Sequence, residues 1–139
     1  MSPAHSAPAL NEQLVIVTGG ARGLGAHITR AFLREGARVV INYLNSADAA
    51  GALAATAPGR TLAIQADVRD AQAVQAMVAQ AQSHFGMPVT TVVNNALPAF
   101  QFNGDARPHA DTLTWDNLNQ QIEGSVRGAL NTTQAALPG

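Results

Sequence analysis

Short runs of apolar, mostly β-branched residues alternate along the chain with longer stretches in which apolar residues recur at helical spacing. Leu14 to Thr18 (Leu-Val-Ile-Val-Thr) is continuous, as a strand buried on both faces should be. Leu24, Ile28, Ala31 and Phe32 follow at the spacing of a helix, and Gly36 falls where a helix C-terminal glycine belongs. Arg38 to Asn42 carries Val-Val-Ile and predicts a second buried strand. Ser46 is placed to cap a second helix, with Asp48 in its first turn. That helix runs to about Thr56 and stops before the Pro58-Gly59 turn. Thr61 to Gln65 predicts a weaker third strand. Val74, Met77, Val78, Ala81 and Phe85 mark one face of a third helix ending at Gly86, and Val89 to Val93 predicts a fourth strand. Ala96 to Asp111, with Pro98, Gly104 and Pro108, is a loop of a length that often carries function. Trp115, Leu118, Ile122, Val126, Ala129 and Thr133 stripe a final long helix. Its Trp115, Leu118 and Ile122 are expected in packing contacts. Pro138 and Gly139 close the chain.

This alternation predicts a parallel α/β sheet whose right-handed crossovers put helices on both faces. The chain has 139 residues, a length for one domain. Met1 to Ala9 contains Pro3 and Pro8 and lacks the basic start and apolar core of a signal peptide. Residues 1–12 are therefore expected to be a flexible arm and 13–139 the domain. A net charge of -1 gives no basic surface for nucleic acid, and no apolar run is long enough to span a bilayer. A cytoplasmic location is the expectation. Cys is absent, which excludes disulfides, thiolate nucleophiles and cysteine metal sites. Lys is absent too, and Tyr43 is the one tyrosine. His5, His27, His84 and His109 show no metal-ligand spacing, and no metal is expected.

Thr18-Gly19-Gly20-Ala21-Arg22-Gly23-Leu24-Gly25 joins the first strand to the first helix. Glycines there permit a sharp turn and a close backbone approach to phosphate, while the helix N-terminus offers free N–H donors to an anion. The spacing, Thr-Gly-x-x-x-Gly-x-Gly, resembles the short-chain dehydrogenase/reductase family. So do Asp67-Val68 after the third strand, Asn94-Asn95-Ala96 after the fourth, and Gly128 to Pro138, which looks like that family's fifth helix. The character is closest to 3-oxoacyl-acyl-carrier-protein reductase-like members. The resemblance covers the chain after residue 12 and the first half or so of the family's domain. It implies a Rossmann-type doubly wound sheet in the order 3-2-1-4, truncated after the fifth helix. A gene fragment or a frameshifted copy is the simplest expectation.

The resemblance implies a nicotinamide dinucleotide site at Gly19, Arg22, Gly23, Leu24, Gly25, Asn42, Asp67, Val68, Asn94 and Ala96, with Asp67 at the adenine. NAD-preferring sites place an acid about 20 residues past the glycines for the ribose hydroxyl. Here the second strand ends Asn42-Tyr43-Leu44-Asn45. Arg22 is placed to pair with a 2′-phosphate through its planar fork, which favours NADP(H) over NAD(H). The alternative is a solvated Arg22, with Asn42 bonding the ribose of either cofactor.

The family's chemistry implies a Tyr-x-x-x-Lys pair, a Ser and a helix Asn. A phenol titrates near pH 10 and needs a cationic neighbour to work near neutrality, and this chain has no Lys. No catalytic residue is therefore assigned. Ser125 stands where the helix Asn usually does, and Leu97 replaces the Gly after Asn94-Asn95-Ala96. Two functions stay open. One is an oxidoreductase acting on a small carbonyl or alcohol, a 3-oxoacyl substrate among them, present as its cofactor-binding half and needing completion to turn over. The other is an inactive nucleotide-binding or subunit-interaction module. Phe100 and Phe102 either line a substrate pocket or pin the loop. Asp105, Arg107 and Asp111 read as loop charges. An exposed, uncharged fourth strand at the sheet edge invites self-association, so a homo-oligomer or poorly soluble product is expected.

Overall fold

Leu14–Val17 (β1), Arg38–Tyr43 (β2), Thr61–Gln65 (β3) and Thr91–Val93 (β4) form one parallel sheet in the order β3-β2-β1-β4. The computed structural model describes residues 6–98 and 108–137. His5, Phe100, Phe102, Asp105, Arg107, Pro138 and Gly139 lie outside them. Between the strands run α1 (Gly23–Arg34), α2 (Ala47–Ala54) and α3 (Ala71–Phe85). After β4 come α4 (Trp115–Ile122) and α5 (Gly128–Ala136). Within the expected arm, Leu10–Glu12 make a single 3-10 turn. None of the helices described is long and apolar enough to cross a membrane.

Leu14 to Val17, Val39 to Ile41 and Leu62 to Ile64 are apolar without a break because both sheet faces are covered. Val15, Val17, Val39 and Ile41 pack with Ala26 and Leu33 of α1 and Ala50 and Leu53 of α2. Their strand neighbours Leu14, Ile16, Val40 and Ile64 pack on the opposite face with Val74, Met77, Val78 and Ala81 of α3. Each such side chain contributes about 1.5–3 kcal/mol when fully buried. The sheet register sets Val17 beside Ile41 and Val93. β2 and β3 run on to the Tyr43–Gln65 pair, so the carboxyl ends make a step. The order reverses at β1: the chain leaves it for β2 on one side, while β4 returns on the other. Ligands of open α/β sheets bind at such a point.

Several local expectations are corrected. Leu24 is 69% exposed; the buried face of α1 is Gly25, Ala26, Thr29 and Leu33, about one position round from the sequence stripe. Ser46 precedes α2 but does not cap it. α2 ends at Ala54, before the expected Thr56. α3 has a cap the pattern did not reveal: Asp70 accepts from the Gln72 and Ala73 N–H groups at 3.0 and 3.2 Å. β4 starts at Thr91, later than the expected Val89, whose N–H is donated to the Gln82 side chain at 3.1 Å. The expected continuous final helix is interrupted by a π-helical turn at Glu123–Arg127. There the Ser125 hydroxyl donates back to the Gln121 carbonyl, a bond that competes with the regular ladder. Trp115, Leu118 and Ile122 are 68%, 44% and 43% exposed. They do not join the core, since among the described residues no element lies over that stripe.

Candidate functional site

A crevice of about 650 Å³ opens at the carboxyl step of the sheet. Its walls are the glycine-rich turn, the ends of β2 and β3, and the segment after β4. An inner recess of about 120 Å³ lies between Thr18, Asn94, Ala96, Ser125 and Ala129. The crevice is shaped by three hydrogen-bonded fasteners.

Thr18, 2% exposed, ties β1 to β4. Its hydroxyl donates to the Val93 carbonyl at 3.3 Å and accepts the Asn95 and Ala96 N–H groups, each at 3.0 Å. The Asn95 amide answers by donating to the Thr18 and Gly19 carbonyls at 3.1 and 3.2 Å. Asn42, also 2% exposed, ties the turn to β3. Its carbonyl oxygen accepts the Gly19 N–H at 3.3 Å, and its amide donates to the Ala66 and Ile64 carbonyls at 3.0 and 3.4 Å. α5 supplies the third fastener. Asn131 donates to the Val68 carbonyl at 2.9 Å, and the buried Thr132 hydroxyl donates to the Asn94 side chain.

The sequence-predicted residues fall into three groups. Gly19, Arg22, Asp67, Val68 and Ala96 line the crevice, and Asn94 lines the inner recess with Ser125. Gly23, Leu24 and Gly25 form the first turn of α1, beside the crevice rather than in its wall. Asn42 sits in the floor with both ends of its amide engaged by the protein, so its observed part is to hold the turn, not to reach outward. Leu97 keeps a negative φ, so its Cβ imposes no left-handed strain; the side chain stands 76% exposed at the rim. Tyr43 also lines the crevice. Thr18, Asn95 and Arg69 were missed as site residues; the roles of Thr18 and Asn95 rest on contacts between segments far apart in sequence, and that of Arg69 on the bend that turns it back onto Asp67.

The first turn of α1 leaves N–H groups without intrahelical acceptors. Arg22 occupies the N-cap position but makes no side-chain cap. Its guanidinium reaches across the crevice mouth to donate to the neutral Ser46 hydroxyl at 3.4 Å. Gly25 lets the helix approach the turn: a Cβ there would stand 2.1 Å from the Gly19 carbonyl oxygen. Helix dipole, free N–H donors and a guanidinium at one mouth are the donor set of an anion site, and the volume admits a molecule of cofactor size.

Arg69 holds the Asp67 carboxyl below the ordinary carboxylate range, chiefly through side-chain hydrogen bonds. Nε lies 3.0 Å from Oδ1 and Nη2 2.6 Å from Oδ2. The pair's stabilisation is therefore present above the unfolded carboxylate value and is lost as pH falls through the lowered folded one. Both side chains are partly exposed, at 29% and 52%, so the effect is small. His27, His84 and His109 are exposed. Among the described residues no group of His, Asp or Glu is placed to hold a metal.

A family model described as short chain dehydrogenase matches residues 13–139. The 3-oxoacyl-[acyl-carrier-protein] reductase of Staphylococcus aureus is 32% identical over 130 residues, covering 88% of this chain and 48% of that protein. A short-chain dehydrogenase/reductase from Serratia marcescens has a TM-score of 0.78 at 39% identity, over 93% of this chain and 51% of that one. A short chain dehydrogenase from Burkholderia cenocepacia, solved in complex with NADP, has a TM-score of 0.77 at 35% identity, with the same two shares of 93% and 51%. The chain spans about half the length of the relatives it matches.

Proposed function

Because the chain belongs to the short-chain dehydrogenase family, we propose that its crevice binds NADP(H) in preference to NAD(H) and is the cofactor-binding half of an oxidoreductase. The carrying observation is Arg22. Its guanidinium stands at the mouth against a neutral hydroxyl, and the adjoining end of β2, Asn42-Tyr43-Leu44-Asn45, has no acid to repel a phosphate. Arg22 and Ser46 would hold the 2′-phosphate, the first turn of α1 the pyrophosphate, and Asp67 and Val68 the base. Asn94, Ala96 and Ser125 would border the nicotinamide end. When bound, the nicotinamide supplies or accepts a hydride at a carbonyl or alcohol carbon. The NADP complex of the Burkholderia protein supports the cofactor reading. The Staphylococcus reductase supports a 3-oxoacyl compound as one substrate class.

The expected result is tighter binding of NADPH than NADH, read by titrating dihydronicotinamide fluorescence. Arg22→Ala should reduce that preference about tenfold, the size of one exposed charge-assisted contact. An unchanged ratio in the variant removes Arg22 as the reader of the phosphate.

The chain's own residues bind and orient; they include neither a Lys nor a tyrosine outside β2. A second reading is an inactive nucleotide-binding or interaction module. It is supported by the exposed stripe Trp115, Leu118, Ile122, Val126 and Leu130, a surface suited to a second copy or a longer relative. The pure chain is expected to give no NADPH oxidation with a small β-keto ester. Turnover above the buffer rate would sink the inactive reading.

A further inference from the structure

At the base end of the crevice the acceptor and donor inventory is unusual. An ionised carboxylate has about four lone-pair sites, and a guanidinium has five N–H donors. Arg69 donates to Asp67 with its backbone N–H at 3.0 Å to Oδ1, with Nε at 3.0 Å to Oδ1 and 3.2 Å to Oδ2, and with Nη2 at 2.6 Å to Oδ2. These contacts occupy most of the carboxylate's capacity. The guanidinium has committed only Nε–H and one Nη2–H, so about three of its donors remain. Asp67 and Arg69 both line the crevice.

An isolated carboxylate would select a base that presents an amino group, since a 6-oxo group would meet it lone pair to lone pair. A carboxylate gripped in this way keeps about one lone-pair site for an amino group and carries a surplus of donors beside it. A 6-aminopurine presents N–H at this edge, and a 6-oxopurine presents a carbonyl oxygen. Resting on the reading that the crevice takes a dinucleotide with its base beside Asp67 and Val68, we propose that Arg69 is a specificity-determining residue that makes the base end serve both edges: Asp67 accepts from a 6-amino group, and Arg69 donates to a 6-oxo group. The crevice should then take a hypoxanthine dinucleotide nearly as well as an adenine one. Strict selection of adenine would need an unpaired carboxylate, because a site rejects most strongly the ligand that leaves its polar group without a partner.

The test compares dissociation constants of NADPH and reduced nicotinamide hypoxanthine dinucleotide phosphate, which differ in the 6-substituent and in the proton that the 6-oxo base carries on N1, by fluorescence titration of the full chain. In the unmodified protein the two are expected within about threefold. Arg69→Ala should weaken the hypoxanthine compound about tenfold while leaving NADPH unchanged or tighter. Asp67→Ala, keeping Arg69, should tilt the ratio the other way. Both side chains are partly exposed, so thermal melts of the variants should overlay that of the parent. A tenfold adenine preference in the parent, or a ratio that Arg69→Ala does not move, overturns this proposal and leaves the cofactor reading standing. Failure of both dinucleotides to bind the parent overturns the cofactor reading and this proposal together.

Discussion

Gly25→Ala is expected to lower the melting temperature by roughly 10 °C. The added Cβ would meet the Gly19 carbonyl oxygen at 2.1 Å, the Asn95 amide nitrogen at 2.6 Å and the Gly19 carbonyl carbon at 2.9 Å. Two of these are backbone atoms and cannot swing aside. The amide is itself held by the Thr18 and Gly19 carbonyls. Relief requires α1 to move off the turn, which pulls Ala26 and Leu33 from the core they share with Val15 and Ile41. Overpacking usually costs about 1–3 kcal/mol, and a rigid contact of this kind falls at or above the top of that range. For a domain of this size each kcal/mol moves the midpoint by about 2–4 °C or slightly more. Gly23→Ala is the control. Its Cβ would meet nothing within 4 Å, and its φ of +54° leaves only the left-handed strain of about 1–2 kcal/mol. Calorimetry on both variants separates the two causes: equal melting points would show that the close approach at Gly25 is unimportant.

Asn42→Leu is expected to cost about 3 kcal/mol, with a fall in the urea midpoint and no change in the slope. The side chains are close in size, so the loss is one of hydrogen bonding. Leucine would leave the Gly19 N–H and the Ala66 carbonyl without the partners they have at 3.3 and 3.0 Å. The site is 2% exposed, so water does not replace the amide cheaply. Each buried group left unsatisfied costs about 1–3 kcal/mol. Dinucleotide affinity should fall beyond the loss of folded population, because the turn would no longer be anchored to β3. A variant that melts like the parent would mean the turn holds its shape through the Gly20 N–H bond to the Asn42 backbone carbonyl at 2.9 Å.

The strands and the glycine-rich turn were legible because their signals are local. Val15 to Val17 and Val39 to Ile41 are apolar on both faces, and the turn's glycines sit directly between a strand and a helix. The order of the sheet followed from the family pattern. Contacts that join distant segments were less legible. Asn95 reads as one polar residue after a strand, and only the neighbouring position of β1 gives its amide two carbonyls to hold. Arg69 is a different case: Asp67 is only two residues away, and nothing in the pattern signals the tight bend after β3 that folds the guanidinium onto it. Ser46 has the composition of a cap, but its hydroxyl is taken by Arg22, 24 residues earlier. Periodicity misled in two places. It counted Leu24 into the buried face of α1, where the glycine approach rotates the helix by about one position. It also marked Trp115, Leu118 and Ile122 as apolar without saying what would cover them.

The pairing of β4 with β1 bears on the order in which this chain assembles. β1 finds β2 across about two dozen residues, as in the Leu14–Arg38 pair. It finds β4 across roughly three times that span, as in the Val15–Thr91 pair. Loop-closure entropy makes the longer closure more costly by about 1 kcal/mol, and every bond that Thr18 and Asn95 exchange depends on it. The β1-α1-β2 and β2-α2-β3 units can gain their contacts from nearer neighbours and require no such closure. The crevice is thus a property of the joined β1–β4 pair: its wall at Asn94 to Pro98 is set only when β4 has docked against β1.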